Sequence, residues 1–224
     1  MTSTGTERDG RIRAVVFDVG ETLVDETRPW GEWADWLGVP RLTMFAVLGG
    51  VIERGENHRR AAEILRPGAD LRAEAARRRA TIGTPWVRAD DLYPDALPAL
   101  RALHEAGYRL GVAGNQPLET ERVIAELGIP LDLVATSTGL GVEKPNPAFF
   151  ARVAEALILE PGSIAYVGDR VDNDVRPAAA AGMRAIFIRR GPWAFLQATD
   201  GPPPEAAATI DSLLELPKVL GRLG

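Results

Sequence analysis

Polar side chains follow four apolar segments of the chain, each close to the point where the segment ends. They are Asp18 and Thr22, Asn115, Lys144 one loop further on, and Asp169 and Asp174. Carboxylates that are gathered at one place repel one another unless a cation lies among them. If the four segments meet, the sequence therefore predicts a site where aspartates are neutralised by Lys144, by a divalent ion, or by both.

The composition narrows the kind of ion that such a site would hold. The chain contains no cysteine and only two histidines, His58 and His104. Disulfides and zinc held by thiolates are therefore excluded, and a histidine base has few candidates. A metal at this site is expected to be a hard cation with oxygen ligands.

Alternating strands and helices are predicted to carry these residues. The β-branched and aromatic run at 15–17 indicates a buried strand that ends at Asp18. Further strands are expected near 109–113, 131–135, 164–167 and 184–188, with helices near 95–107, 118–127 and 147–157 and after Asp174. This alternation predicts an α/β fold with a mostly parallel sheet covered on both faces. Sites in such sheets lie at the carboxyl ends of the strands, so the polar clusters are expected to converge.

The segment at 29–90 differs in character, because it shows no strand-like alternation. Trp30, Trp33 and Trp36 recur at helical spacing, and residues 71–80 are strong helix formers. We therefore predict that 29–90 is a helical insert.

The remaining residues complete the predicted domain organisation. The α/β core is expected to comprise 11–28 and 91–224, and the polar residues 1–10 a disordered tail. Residues 200–204 contain three consecutive prolines and are predicted to be a loop, followed by a C-terminal helix that covers an edge of the sheet.

Charge and hydropathy exclude several classes of partner. The net charge of −5 is spread without blocks of one sign, which argues against a surface that binds nucleic acid. No apolar run approaches about 20 residues, and residues 1–11 lack the hydrophobic segment of a secretory signal. The expectation is a soluble cytoplasmic protein, a monomer or homodimer, with no membrane or nucleic-acid partner.

The motifs that contain the polar residues resemble those of the haloacid dehalogenase-like (HAD) hydrolase superfamily. Residues 18–23, Asp-Val-Gly-Glu-Thr-Leu, are similar to its nucleophile motif, Asp-x-Asp-x-Thr-(Leu/Val). The more specific matches are Val-Glu-Lys-Pro-Asn-Pro at 142–147 and Gly-Asp-x-x-x-Asn-Asp at 168–174. The resemblance implies a Rossmann-like parallel-sheet core, with a type-1 helical cap inserted after the first strand.

The resemblance also implies a function, the Mg²⁺-dependent hydrolysis of small phosphorylated or otherwise anionic metabolites. Asp18 would be the nucleophile and form an aspartyl-phosphate, and Lys144 would neutralise both Asp18 and the phosphate. Thr22 and Asn115, with the position of Gly114, would hold the phosphoryl group. A compact ammonium suits such a site, and only Lys144 and Lys218 are lysines among 26 basic residues. The alternative for Lys144 is a solvated surface position.

The ligands of the Mg²⁺ ion follow from the same resemblance. They would be Asp18, the backbone carbonyl of Gly20, Asp169 and Asp174, the last as a ligand or as a neighbouring carboxylate. Oxygen ligands of this kind are those that Mg²⁺ prefers.

Two departures from the family pattern bear on catalysis. Gly20 stands where the family's phosphatases carry the acid that protonates the leaving group and then activates water. Gly114 replaces the usual Ser or Thr that binds the phosphoryl group. General acid–base catalysis is worth about 10²–10⁴-fold, so turnover would be slow or restricted to good leaving groups such as aryl, acyl or anomeric sugar phosphates. Glu21 could supply the missing carboxylate, or it could be a turn residue bonded to backbone amides or to an arginine.

Other functions stay open at this point. A binding protein could keep the fold and the metal site after losing turnover with Gly20 and Gly114. Dehalogenases of the superfamily also lack the second aspartate, but they work without metal. For a dehalogenase the resemblance would imply fewer acidic residues in the fourth motif, where this chain has both Asp169 and Asp174. Phosphonatases use a cap lysine, and none lies between residues 27 and 92.

Structural explanations also exist for single residues. Asp18 could close a turn, Asp174 could be a helix N-terminal acid, and Asp25 is expected to cap the following segment. Four aromatic residues of the insert could form a substrate wall, or they could pack its core or a dimer surface: Trp30, Trp33, Trp36 and Phe45. Its arginines could contact an anionic substrate or form a solvated face.

Overall fold

The computed structural model describes residues 11–83 and 85–224, so the predicted tail at 1–10 lies outside the described residues. Six parallel strands form one sheet in the order β3-β2-β1-β4-β5-β6. The strands are β1 (Ala14–Phe17), β2 (Arg109–Gly114), β3 (Leu133–Thr136), β4 (Ile164–Gly168), β5 (Arg184–Ile188) and β6 (Ala208–Ile210). The predicted parallel α/β fold is therefore confirmed.

Helices precede and follow the strands along the chain. Four of them lie between β1 and residue 90: α1 (Thr27–Leu37), α2 (Arg41–Glu53), α3 (Arg59–Leu65) and α4 (Leu71–Ile82). The others are α5 (Ala96–Glu105), α6 (Glu119–Ala125), α7 (Ser137–Leu140), α8 (Pro147–Leu157), α9 (Arg176–Ala180), α10 (Gly191–Gln197) and α11 (Leu216–Leu223).

Both faces of the sheet are buried under helices. Alternate residues of a strand point to opposite faces, and in β1 Val15 and Phe17 pack in one hydrophobic cluster while Ala14 and Val16 pack in another. Leucines of α5 and α11 belong to the first cluster, and Phe149 and its neighbours on α8 belong to the second. This double burial explains why the strands are continuously apolar in the sequence.

The helices α1 to α3 share a third hydrophobic cluster, which includes Trp30, Met44 and Leu48. Trp193 of α10 joins the same cluster and so links these helices to the sheet domain. Asp25 was expected to cap the following segment, and the backbone N–H of Thr27 does donate to its Oδ1 at 2.7 Å; however, the N-cap position of α1 is Glu26, whose side chain does not cap the helix. That residues 29–90 act as a separate cap stays a prediction.

Three elements were not expected from the sequence: the short helix α7, the helix α10 and the short edge strand β6. The motif Gly-Pro-Trp at the start of α10 looks like a loop, but the buried Trp193 fixes it against α2. The C-terminal helix α11 packs against α5 through Leu216 and Leu220. Among the described residues no single helix is long and apolar enough to cross a membrane; α1 and α2 meet that test only as a pair bent by 111°.

Candidate active site

Asp18 lies where the connections of the sheet change direction. β1 pairs with β2 on one side and with β4 on the other, and Asp18 follows β1 as Asp169 follows β4. The backbone N–H of Asp18 donates to the Val167 carbonyl at 2.9 Å, which holds the two strand ends side by side. Such a switch point is where open α/β sheets form their sites.

The ammonium of Lys144 lies between two carboxylates. Its Nζ is 2.6 Å from Oδ1 of Asp18 and 2.5 Å from Oδ1 of Asp174, and all three side chains are buried. Burial alone lowers the pKa of Lys144, but the charges of Asp174 and Asp18 outweigh it and hold this pKa well above its usual value. Lys144 therefore stays charged and neutralises one negative charge of the cluster.

Asp169 completes an acidic cluster that one ammonium does not balance. Carboxylate oxygens of Asp18, Asp169 and Asp174 lie within 4.8 Å of one another. Burial, and then the neighbouring carboxylates, raise the pKa of Asp169 well above its usual value. Both oxygens of Asp169 are buried and have no hydrogen-bond partner among the described residues. Unpartnered carboxylate oxygens in an acidic cluster fit the ligand set of a hard divalent cation.

Asn115 makes contacts that were not expected from the sequence. Its Nδ2 donates to the Lys144 carbonyl at 2.9 Å, and the backbone N–H of Lys144 donates to its Oδ1 at 2.8 Å. The carboxamide therefore positions the loop that carries Lys144. One proton of Nδ2 is left to donate to a bound phosphoryl group.

Two other predicted phosphate-binding positions, Thr22 and Gly114, do not line the cavity that joins this cluster to the insert. Thr22 is fully buried, and its Oγ1 has no partner among the described residues. Gly114 ends β2, and a Cβ there would come within 2.6 Å of Oδ1 of Asp18. Glycine at this position therefore lets the Asp18 carboxylate approach the backbone of β2.

Glu21 is held as a turn residue. Its φ of 51° lies in the left-handed region, and its side chain is buried. The hydroxyl of Tyr93 donates to Oε2 at 2.5 Å, and the backbone N–H of Glu26 donates to Oε1 at 3.0 Å. Both oxygens thus have structural partners, although Glu21 also lines the cavity.

Glu26 is a site residue that the sequence analysis missed. It is 8% exposed and lines the cavity. The indole N–H groups of Trp30 and Trp86 donate to its Oε2 and Oε1, at 3.1 and 3.0 Å. Burial raises its pKa to about 7, although the hydrogen bond from Trp86 opposes this shift. The signal that could have identified it is its position in the sequence. Glu26 directly precedes α1 and lies six residues after Gly20, which stands where the family carries an acid.

A cavity of about 390 Å³ joins the acidic cluster to the helices α1 to α4. Four tryptophans line it: Trp30, Trp33, Trp86 and Trp193. Trp36 instead donates to Glu74 at 3.0 Å, and Phe45 packs in the third cluster. The four cavity-lining tryptophans also belong to or pack against the third cluster, so core packing is shown for all of these aromatic residues, and a substrate wall stays a prediction for those that line the cavity.

Some arginines of the insert lie on the surface, and others line the cavity. Arg54, Arg60 and Arg77 form ion pairs on the surface, whereas Arg59, Arg78 and Arg79 line the cavity. Arg78 is 5% exposed, and its Nη2 donates to Glu32 at 2.6 Å. Its buried Nε has no partner among the described residues, which leaves a cationic donor for an anionic group.

Comparisons with known proteins agree with this arrangement. The chain is 35% identical to a glyceraldehyde 3-phosphate phosphatase of Methanopyrus kandleri over 81% of this chain and 86% of that protein. The solved HAD phosphatase of Thermococcus onnurineus covers 94% of this chain with a TM-score of 0.60 and 25% identity, over 98% of its own length. The HAD hydrolase YfnB of Bacillus subtilis, solved with magnesium, shares the fold with a TM-score of 0.70 at 18% identity, over 94% of this chain and 99% of that one.

The family itself is shown by a match over most of the sequence. The model of the haloacid dehalogenase-like hydrolase family matches residues 12–182, which include the ends of strands β1 to β4 and the residues Asp18, Lys144 and Asp169. The family resemblance noted in the sequence and the expectation of a hydrolase are thereby confirmed. The chain belongs to the haloacid dehalogenase-like hydrolases.

Proposed function

We propose that the protein is a Mg²⁺-dependent phosphatase of small phosphorylated metabolites, acting through an aspartyl-phosphate on Asp18. The observation that carries this proposal is the buried cluster in which Asp18 touches Lys144 while both oxygens of Asp169 lack a partner. The phosphatase name of the relative from Methanopyrus kandleri supports the same reaction.

In the first step a carboxylate oxygen of Asp18 attacks phosphorus, and the bond from phosphorus to the leaving oxygen breaks. In the second step water attacks the phosphorus of the acyl phosphate, which releases phosphate and restores Asp18. Splitting the displacement in this way replaces one difficult step by two easier ones. Lys144 lowers the repulsion between the Asp18 carboxylate and the incoming phosphate, because its ammonium lies 2.6 Å from that carboxylate.

The residues that would hold Mg²⁺ are Asp18, Asp169, Asp174 and the backbone carbonyl of Gly20. When bound, the ion would supply positive charge to the phosphoryl oxygens and to the acidic cluster. Asp169 is the most specific of these assignments, since its oxygens have no other partner among the described residues.

The helices α1 to α4 act in this proposal as a cap that closes the site and contacts the organic part of the substrate. Trp33 and Trp86 offer apolar surface to that part, and Arg78 offers a donor to a second anionic group. The substrate is thus a small phosphate ester that fits a cavity of about 390 Å³. Glyceraldehyde 3-phosphate is the first candidate, from the relative's name.

The test is hydrolysis of p-nitrophenyl phosphate and of a panel of metabolite phosphates, with Mg²⁺ and with a chelator. Metal-dependent turnover that disappears in Asp18→Asn supports the proposal. Metal-independent release of halide from a haloacid would identify a dehalogenase. Neither activity, with metabolite binding retained, would identify a binding protein.

A further inference from the structure

The side chain of Glu26 fills the space that a side chain on residue 20 would occupy. A Cβ on Gly20 would lie 2.5 Å from Oε1, 2.8 Å from Cδ and 3.4 Å from Oε2 of Glu26. Cβ atoms essentially never come within 3.0 Å of another non-bonded heavy atom, so a side chain at position 20 would displace the Glu26 carboxyl from the place that it occupies here. The chain therefore lacks a carboxyl on residue 20 but has one at the same place.

This carboxyl is fixed in position and remains available. The indole N–H of Trp30 donates to Oε2, and the indole N–H of Trp86 donates to Oε1. A carboxylate accepts about four hydrogen bonds, so two indoles leave capacity on both oxygens. Glu26 forms no ion pair within residues 11–83 and 85–224, unlike the carboxylate of Asp18. It also lines the cavity that Asp18 and Lys144 line.

Glu21 is the competing carboxylate, and its contacts give it a different role. The hydroxyl of Tyr93 and the backbone N–H of Glu26 occupy its two oxygens. A Cβ on Gly191 would lie 2.5 Å from Oε2 of Glu21, which shows that this side chain packs toward the start of α10. Glu21 thereby supports the backbone of Glu26 and does not fill the space beside Gly20.

We propose that Glu26 is the general acid and base of this phosphatase, in place of the acid that residue 20 lacks. The inference rests on the proposed function. As the Asp18 oxygen bonds to phosphorus and the leaving oxygen departs, that oxygen takes the proton of the Glu26 carboxyl and leaves as an alcohol. The Glu26 carboxylate then takes one proton from the attacking water, whose oxygen bonds to phosphorus as the bond to Asp18 breaks. Asp18 is restored as a carboxylate and Glu26 as an acid, and hydrogen phosphate leaves.

Substrates with different leaving groups distinguish a general acid from a residue with only a structural role. In Glu26→Gln, kcat/KM for an alkyl phosphate such as glycerol phosphate falls by about 10²–10⁴-fold, because an alkoxide is a poor leaving group without a proton donor. Phosphorylation by p-nitrophenyl phosphate falls by less than about tenfold, because nitrophenolate leaves unaided. Glu21→Gln is the comparison, and its effect is the same on both substrates.

The second step gives a readout that is independent of turnover. Phosphorylated Asp18, measured by mass spectrometry after an acid quench, accumulates in Glu26→Gln with p-nitrophenyl phosphate and stays low in the unmodified enzyme. The double variant Gly20→Asp/Glu26→Ala, in which the collision is removed, regains alkyl phosphatase activity relative to Glu26→Ala. This pair of variants also decides the question if Glu26→Gln does not fold.

Equal losses on both substrates, or no accumulation together with no rescue by Gly20→Asp, would overturn the role of Glu26. In those cases the unmodified enzyme still hydrolyses phosphate esters, so the proposed function stands. An unmodified enzyme with no turnover that depends on Asp18 overturns the proposed function and the role of Glu26 with it.

Discussion

The carboxamide of Asn115 forms two hydrogen bonds with the backbone of Lys144. Its Nδ2 donates to the Lys144 carbonyl at 2.9 Å, and its Oδ1 accepts from the Lys144 N–H at 2.8 Å. The loop after β2 therefore fixes the loop that carries the ammonium. Lys144 in turn lies between Asp18 and Asp174. Asn115, which follows β2, thus positions the ammonium of Lys144, which pairs with the carboxylate of Asp18 after β1.

Asn115→Ala is expected to lower kcat by about 10–100-fold, because the support of a ligand or charged group is commonly worth that much. Asn115→Asp should lose less, since its carboxylate still accepts from the Lys144 N–H. Steady-state kinetics on a single phosphate ester measure both. A kcat of Asn115→Ala equal to that of the unmodified enzyme would show that Lys144 needs no such support.

Lys144→Met should destabilise the fold in the absence of metal. Removing one partner of a buried ion pair costs about 3–5 kcal/mol, since the remaining carboxylates of Asp18 and Asp174 lose their cation. Lys218→Met is the matched control, because the chain's other lysine is exposed. Urea unfolding with a chelator present gives both free energies. The account fails here if the two variants lose the same stability.

Asp169→Asn should abolish stabilisation by Mg²⁺. An ion that binds only the native state at a concentration 100 times its Kd raises the free energy of unfolding by about 2.7 kcal/mol. Asp172→Asn is the control, because this nearby carboxylate is exposed and pairs with Arg170 at 2.7 Å. Thermal unfolding with and without Mg²⁺ measures the effect. A similar Mg²⁺ shift in Asp169→Asn and the unmodified protein would remove Asp169 from the ligand set.

His58 should make stability depend on pH. Burial, followed by the charges of Arg170 and Arg59, lowers the pKa of His58 to about 4 from 6.5. Between these values the unfolded chain binds a proton that the native His58 does not, so stability is lost as the pH falls from 6.5 toward 4. Because His58 is partly exposed, the loss should be on the order of 2 kcal/mol.

The variant His58→Gln isolates this contribution from those of the buried acids. As the pH falls from 6.5 toward 4, the unmodified protein should lose stability relative to His58→Gln. The free energy of unfolding of the unmodified protein minus that of His58→Gln should therefore decrease. His104→Gln is the control, because His104 is exposed. A difference that is constant over this pH range would contradict the burial of a neutral His58.

The sheet and the meeting of Asp18, Lys144 and Asp169 could be predicted because each rests on a local pattern. An apolar run marks a strand, and parallel strands bring their carboxyl ends to one edge. The role of Glu26 could not be predicted in this way. It depends on Trp86, which is 60 residues away in the sequence, and on the close approach of Glu26 to Gly20.

The same distinction explains the other differences. The hydrogen bonds of Asn115 to the backbone of Lys144 were not predicted, because the two residues are 29 positions apart and no local pattern indicates that pair. The start of α10 looks like a loop until Trp193 is seen to pack among the helices of the insert. Long-range packing, which periodicity does not encode, decided each of these cases.

The measurement that tests the central claim most directly is the mass of the peptide containing Asp18 after an acid quench during turnover of p-nitrophenyl phosphate. The account predicts a phosphoryl group on Asp18, at a low level in the unmodified enzyme and at a higher level in Glu26→Gln, formed only with substrate and lost on incubation with hydroxylamine, which cleaves acyl phosphates. Turnover by Asp18→Asn at the unmodified rate, or a phosphoryl group on another residue, would contradict it.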